Sequence, residues 1–398
     1  MSVVLVTSTV AIIWNPAQRI SLSEGAVAGP RSVVASGRTR AVVAYVDSAD
    51  AGQGVYGRVT DEGGGWSLQL LSTPAAHAES PSLGAWGASV DLVWRQNFPG
   101  CTEGSCQLMY RRSLNGGGSW SEPLALSPFV PSFAGSPGHP TVARSSTGQV
   151  TATWTEQDTG KILVRTSTDG GVTWSARRSL GITTNRPNAP APARDGFPVV
   201  AIGSGVTYVA YYTDFDTLKV RRSFDGAVTW TTAATVTDTG NGFATDLAAA
   251  GSRAIVGYTT TTAIDSWTTY RRTADKGATW TAARALAPPS GFQSFEPSLA
   301  VRSSTWLVTF TQCRSESCDV SSVYLRESTD GGATWTSPSR ASPLSIENAA
   351  PGGATIIGPR LVIFTGYSGL GKPTSSVWAR SGFVGCEAAA QQAASGTC

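Results

Sequence analysis

Charge is scarce in this chain. Asp, Glu, Lys and Arg make up 14% of its 398 residues, and the net charge is +3 with no run of Lys or Arg. A nucleic-acid partner needs a concentrated basic surface, so none is indicated. Histidine is scarcer still, at two residues (His77 and His139). No Cys-x-x-Cys occurs and no histidine adjoins a cysteine, so no metal site is expected. No run of about 20 apolar residues is available to form a membrane-spanning helix. Outside an Ala-rich stretch over 387–394 there is no long pattern at helical spacing. An Asn-x-Ser/Thr sequon is also missing, which removes one sign of a glycosylated protein. The opening MSVVLVTSTVAIIW is apolar, but its first basic residue is Arg19. It lacks the charged start of a secretory leader. The expectation is that a leader precedes this chain in its precursor, the alternative being that residues 3–13 are a strand.

What the chain has in quantity belongs to sheets and turns: 44 Gly, 22 Pro, 41% hydrophobic residues and 13 Trp, with Thr, Ser and Val abundant. Several tryptophans return on a beat. Ser167-Thr-Asp-Gly-Gly-Val-Thr-Trp174, Ser223-Phe-Asp-Gly-Ala-Val-Thr-Trp230, Thr273-Ala-Asp-Lys-Gly-Ala-Thr-Trp280 and Ser328-Thr-Asp-Gly-Gly-Ala-Thr-Trp335 share one pattern. Ser113-Leu-Asn-Gly-Gly-Gly-Ser-Trp120 is a looser copy, and Thr60-Asp-Glu-Gly-Gly-Gly-Trp66 a shortened one. The tryptophans at 66, 120, 174, 230, 280 and 335 are 54, 54, 56, 50 and 55 residues apart. A period near fifty with strand-like sequence predicts a β-propeller, one four-stranded blade per period.

Within each period an inner strand follows a proline (Pro81, Pro140, Pro198, Pro297). A second strand ends in an aromatic residue, a third carries an arginine two places before the motif, and a fourth begins at the tryptophan. Pro351, Phe364 and Arg380 start one more unit that stops without a motif. The strand it lacks is available at the other end, because Trp14 lies 52 residues before Trp66. The expectation is an all-β, single seven-bladed propeller of four-stranded antiparallel blades over 1–398. Its blades would run over 23–73, 74–127, 128–180, 181–237, 238–287, 288–342, and 343–385 together with 12–22, followed by a disulfide-closed tail, 386–398. Joining first and last segments removes exposed sheet edges. Six blades with irregular ends is the alternative.

The six cysteines fall in close pairs: Cys101/Cys106, Cys313/Cys318 and Cys386/Cys398. Even number and local pairing predict three disulfides and an oxidising compartment, which means an extracellular or cell-surface location.

The pattern Ser/Thr-x-Asp-x-Gly-x-Thr-Trp is identified as the Asp-box or BNR repeat, and the chain resembles the sialidase-like Asp-box propellers over nearly its whole length. The resemblance implies that the boxes lie on the hairpin between third and fourth strands, away from the ligand. Asp169, Asp225, Asp275 and Asp330 are therefore expected to hold turns. The ligand face would be the opposite one, where loops carried on a rigid scaffold surround the channel. Ligand-binding candidates there are Asp47, Arg95, His139, Glu156, Asp158, Asp214 and Gln312. Sialidases of this superfamily use three arginines, a tyrosine–glutamate pair and an acid/base aspartate, and the positions that match in part are Tyr367, Glu296 and Arg314. The family's first arginine position holds Ala28, with Arg31 beyond Pro30, and Arg314 lies past the expected place. A seven-bladed polysaccharide lyase would rest on His139 or a tyrosine as base. The reading is a secreted, lectin-like propeller for a glycan or cell-surface ligand. Its alternatives are a sialidase-like hydrolase or polysaccharide lyase, and a structural module. No cofactor is expected, although Asp47-Ser-Ala-Asp50 and Asp214-Phe-Asp216 could hold Ca²⁺.

Overall fold

The computed structural model describes residues 13–23, 25–36, 39–48, 54–61, 65–73, 77–98, 107–130, 136–184, 195–237, 240–261, 265–286, 291–314, 318, 320–344, 349–357, 361–368 and 376–383. Among these residues every regular element is a strand. Six four-stranded antiparallel blades follow one another in chain order, and a seventh sheet is assembled from both ends of the chain. The inner strands are Val27–Ser36, Ala78–Trp86, Pro137–Arg144, Val199–Gly203, Gly240–Ala250, Phe292–Arg302 and Ala350–Ile357. Each contacts the next, and the last contacts the first, so the ring is closed.

Closure has a specific chemistry. The C-terminal strand Ser376–Phe383 pairs with two short N-terminal strands, Ile13–Trp14 and Gln18–Arg19. Pro16 lies between those two strands, and proline cannot donate to a ladder. Arg380 reaches back across the seam: its Nε donates to Asn15 O at 2.7 Å and its guanidinium lies 5.3 Å from the Trp14 ring centre. Beyond the seam, buried Ile20 offers its carbonyl to Tyr45 Oη at 2.8 Å and Arg58 Nε at 2.7 Å. Both partners belong to the first blade.

The fourth inner strand, Val199–Gly203, follows Pro198 as the sequence suggested, but those of the second, third and sixth blades begin upstream of Pro81, Pro140 and Pro297. Register shifts fall at Glu79/Ser82, Gly138/Thr141 and Phe295/Ser298, around Pro81, Pro140 and Pro297. Proline has no N–H for the ladder, so the strand bulges past it and resumes. Ser80, Phe197 and Glu296, each just before a proline, adopt φ of 52°, 44° and 56°.

The repeated turns sit at the opposite end of the blades. In one of them Asp169 Oδ1 accepts the N–H of Val172 and Thr173 at 3.0 and 2.9 Å, and Oδ2 accepts Thr173 Oγ1 at 2.5 Å. Ser167 Oγ donates to the same carboxylate and accepts Gly171 N–H, both at 2.7 Å. Asp225, Asp275 and Asp330 make matching sets. These bonds hold all four carboxyls below the usual aspartate range; in Asp330, burial opposes them but loses, leaving it at about 2. Gly171 has φ of 89°, and a Cβ there would collide with the Tyr110 hydroxyl of the preceding blade.

Each turn is also cemented to the blade before it. Trp174 packs edge-on against Tyr110 at 4.9 Å, and Trp335 against Tyr270 at 5.6 Å. Arg112, Arg222 and Arg272 donate forward to the turn carbonyls of Gly170, Lys276 and Gly331. A second arginine layer reaches backward, with Arg165 donating to Leu126 O and Arg380 to Ala341 O. Between the second and third blades lies a buried ion pair. Arg144 grips Asp91 with Nε at 2.5 Å and Nη2 at 3.0 Å, and Tyr110 Oη donates to Asp91 at 2.6 Å. Cys313 and Cys318 form a disulfide at the end of the second strand of the sixth blade. Cys101, Cys106, Cys386 and Cys398 lie outside the described residues.

Candidate functional site

An axial cavity of about 600 Å³ is lined by all seven inner strands. Its lining stops at Trp86 and Gly87, in a hairpin joining first and second strands, and at Arg302. The cavity therefore opens on the face that carries the repeated turns. The polar side chains singled out in the sequence lie at the other end, and they meet different fates.

Asp47 is fully buried. Its carboxylate takes the N–H groups of Leu22 and Ser23 and the Ser23 hydroxyl, so it anchors the segment that leaves the closing strands. Asp214 accepts N–H from Asp216 at 3.0 Å and Thr217 at 2.6 Å, an Asx-type turn. Burial raises its pKa, but these bonds win and hold it below the usual range. Asp158 caps its own turn through Thr159 N–H at 2.7 Å. Glu156 accepts Thr159 Oγ1 at 2.6 Å and faces Lys161 and Arg177 at 3.8 and 3.5 Å. Gln312 is buried opposite Ser294 and Ser322. Asp50 is outside the described residues, and among those described no three His, Cys, Asp or Glu side chains gather as a metal site.

The residues matched to sialidase roles stand at the same end of the blades as the other candidates. Glu296 is half-buried; burial raises its pKa, and the Thr311 hydroxyl donating at 3.0 Å only partly offsets that. Arg314 is exposed, opposite Phe292 at the end of its strand. Tyr367 pairs through its backbone with Ala350 and Val377, and its side chain is outside what is described.

His139 and Arg95 belong to one cluster. The bulge at Gly138/Thr141 turns His139 toward the fourth blade, where Nδ1 lies 2.7 Å from Asp195 Oδ2. The imidazole is 39% exposed and the carboxylate 6%. Asp195 Oδ1 also accepts Thr155 Oγ1 at 3.0 Å and Phe197 N–H at 2.8 Å. Burial would raise the Asp195 pKa, but the charge and hydrogen bond of His139, the Phe197 N–H and the Arg95 charge together hold it below the usual range. An ionised carboxylate only accepts hydrogen bonds, so Nδ1 carries a proton, and in the neutral imidazole Nε2 is then the acceptor. The Phe197 ring stacks at 4.2 Å on the imidazole, tilted by 40°. Arg95, paired with Glu79 at 2.5 Å, donates to Pro137 O at 3.2 Å and ties the second blade to the third beside this centre. At Gly138 a Cβ would collide with the Asp195 carboxylate, so the contact requires glycine there.

Asp195 and Phe197 are the members that sequence reading missed. The sequence places the fourth inner strand after Pro198, and Asp195-Gly196 shortly before it is a turn signal that carries no hint of a partner 56 residues away.

No protein-family model matches the chain, and no curated protein matches it. Solved structures do. A protein of unknown function from Dyadobacter fermentans is similar at 13% identity and a TM-score of 0.53, over 94% of this chain and 99% of that one. A polysaccharide lyase described as an ulvan lyase is similar at 10% identity and a TM-score of 0.57, over 90% and 95%. The endosialidase of phage phi92 is similar at 9% identity and a TM-score of 0.54, over 94% of this chain and 70% of that one. At these identities the likeness establishes the propeller fold.

Proposed function

We propose that the protein is a secreted glycan-binding propeller whose ligand lies on the face opposite the repeated turns, at the junction of the second, third and fourth blades, with His139 as its central contact. The observation that carries this reading is the buried, ionised Asp195 fixing one tautomer of a half-exposed imidazole stacked on Phe197. A fixed acceptor beside an aromatic ring suits a sugar, which offers hydroxyl donors at its edge and an apolar C–H face. The neighbouring Arg95–Glu79 pair supplies further polar contacts. The Cys313–Cys318 disulfide supports an oxidising, extracellular setting.

A second reading has one observation of its own. A histidine held at Nδ1 by a carboxylate is also arranged as a general base through Nε2. Two solved propellers of matching extent are described as polysaccharide lyases, at TM-scores of 0.57 and 0.55. In that case His139 Nε2 would take the C5 proton of a uronate, the C4=C5 double bond would form as the C4–O bond breaks, and the departing oxygen would take a proton from water.

Affinity electrophoresis through gels containing alginate, pectate, ulvan, chitosan, xylan or polysialic acid tests the first reading. At least one polysaccharide should retard the protein, and His139→Ala should abolish the retardation. Equal mobility of both proteins in every gel overturns it. Growth of the ultraviolet absorbance of an unsaturated uronyl end, lost in His139→Ala, would establish the lyase instead.

A further inference from the structure

We infer that Phe215 is the stacking platform of a second sugar subsite, so that the ligand of this face is an internal stretch of a polysaccharide running from His139 outward over the fourth blade. The inference rests on reading the His139 centre as glycan-binding, and it adds the class of ligand: a chain instead of a single terminal sugar.

Continuity is the first observation. Gly196, between Asp195 and Phe197, accepts the N–H of Tyr212 at 2.8 Å, which ties the last residue of the second strand of the fourth blade to the centre. Phe215 is three residues further on, at most about 10 Å of chain. The connection leaving the third blade joins the same place, since Thr184 N–H donates to Thr213 O at 2.8 Å.

Rigidity is the second. The Phe215 turn is locked on both sides, by Asp214 accepting from Asp216 and Thr217 and by Thr213 N–H donating to Thr217 O at 3.0 Å. Despite that locking the turn presents Phe215 45% exposed, and Ile182 at the adjoining strand end is 56% exposed. Phe215 is thus a large aromatic side chain carried on a fixed turn a few residues of chain from the polar centre. Stacking on one aromatic ring discriminates by length of ligand: it acts only when a second sugar reaches it.

The test uses the full chain, the polysaccharide that retards it best, and that polymer's own oligomers of one to about six units. In calorimetric titrations Phe215→Ala should weaken the longest oligomer about two- to tenfold, leave the monomer unchanged, and keep the thermal midpoint of the parent. Phe215→Trp should restore or strengthen the long oligomer. If Phe215→Ala binds every length as the parent does while His139→Ala binds none, the subsite is overturned and the glycan reading stands. If neither variant differs from the parent, both fall.

Discussion

Replacing Asp195 by asparagine changes almost no atoms and reverses one hydrogen bond. The carboxylate uses Oδ1 for Thr155 and Phe197 and Oδ2 for His139. An asparagine with its oxygen in the Oδ1 position keeps the first two contacts and turns an N–H₂ toward His139. The imidazole must then accept at Nδ1 and carry its proton on Nε2, which becomes a donor. Stability should fall little, because a charge-assisted bond is exchanged for a neutral one, a difference of about 1 kcal/mol, and an ion no longer has to be buried. In a chain of this length that is a shift of the melting midpoint of no more than about 2 °C. Binding should suffer far more. A ligand hydroxyl donating to Nε2 would face a second donor, at a cost of about 1–3 kcal/mol, which is roughly 5- to 150-fold in affinity. With two histidines in the chain, long-range ¹⁵N–¹H spectra should show one imidazole changing tautomer in Asp195→Asn and the other unchanged. An unchanged His139 tautomer, or affinity within about twofold of the parent, would refute the role given to Asp195.

Three further expectations concern the scaffold. Asp91→Ala leaves the Arg144 guanidinium buried without its carboxylate and should cost about 3–5 kcal/mol by denaturant titration; a double replacement by apolar residues of similar volume should recover much of it. Ile20→Ala, in the core at the seam, should cost about 2–5 kcal/mol, and a loss below about 0.5 kcal/mol would mean the seam does not hold the ring. Acid should destabilise the protein in a defined window. The turn aspartates have folded pKa values below their unfolded value of about 3.9, so the stability they confer is present above pH 4 and is lost as pH falls, through about 2 for Asp330. Glu296 and Glu327, raised by burial, act with the opposite sign near and above their ordinary range. Melting midpoints from pH 7 to 2 should therefore decline mainly below pH 4, and a rise there would contradict the hydrogen-bonded turns.

Much of the architecture was legible because it repeats. A tryptophan and its turn, read six times, set the blade period, and the extra interval from Trp14 to Trp66 pointed to the seam that Asn15 and Arg380 form. What sequence could not supply was which polar residues at the loop-rich end remain available. Asp47 and Asp214 look alike as loop carboxylates, yet one is spent on Leu22 and Ser23 and the other on its own turn. Asp195 was invisible for the complementary reason. Its partners Thr155 and His139 lie on another blade, and nothing in a stretch of Arg, Asp and Gly marks a contact 40 or 56 residues distant.

The placement of the centre follows from how the two ends of the blades differ. At the end with the repeated turns, arginines from one blade satisfy carbonyls of the next, and the aspartates are consumed locally. That end has little chemistry left to offer. At the other end the prolines interrupt the ladders, and Ser80, Phe197 and Glu296, each before a proline, are displaced into φ values near +50°. A displaced residue acts on a ligand only if a neighbouring blade supplies a group to meet it. Ser80 brings a hydroxyl and Glu296 meets the hydroxyl of Thr311. Phe197 instead abuts a second bulge, at Gly138/Thr141, which swings an imidazole onto its ring and onto Asp195. Two irregularities in adjacent blades thus meet at one spot. Restoring regularity at either should therefore disperse the centre, and Gly138→Ala, whose added methyl collides with Asp195, is the smallest change that would do so.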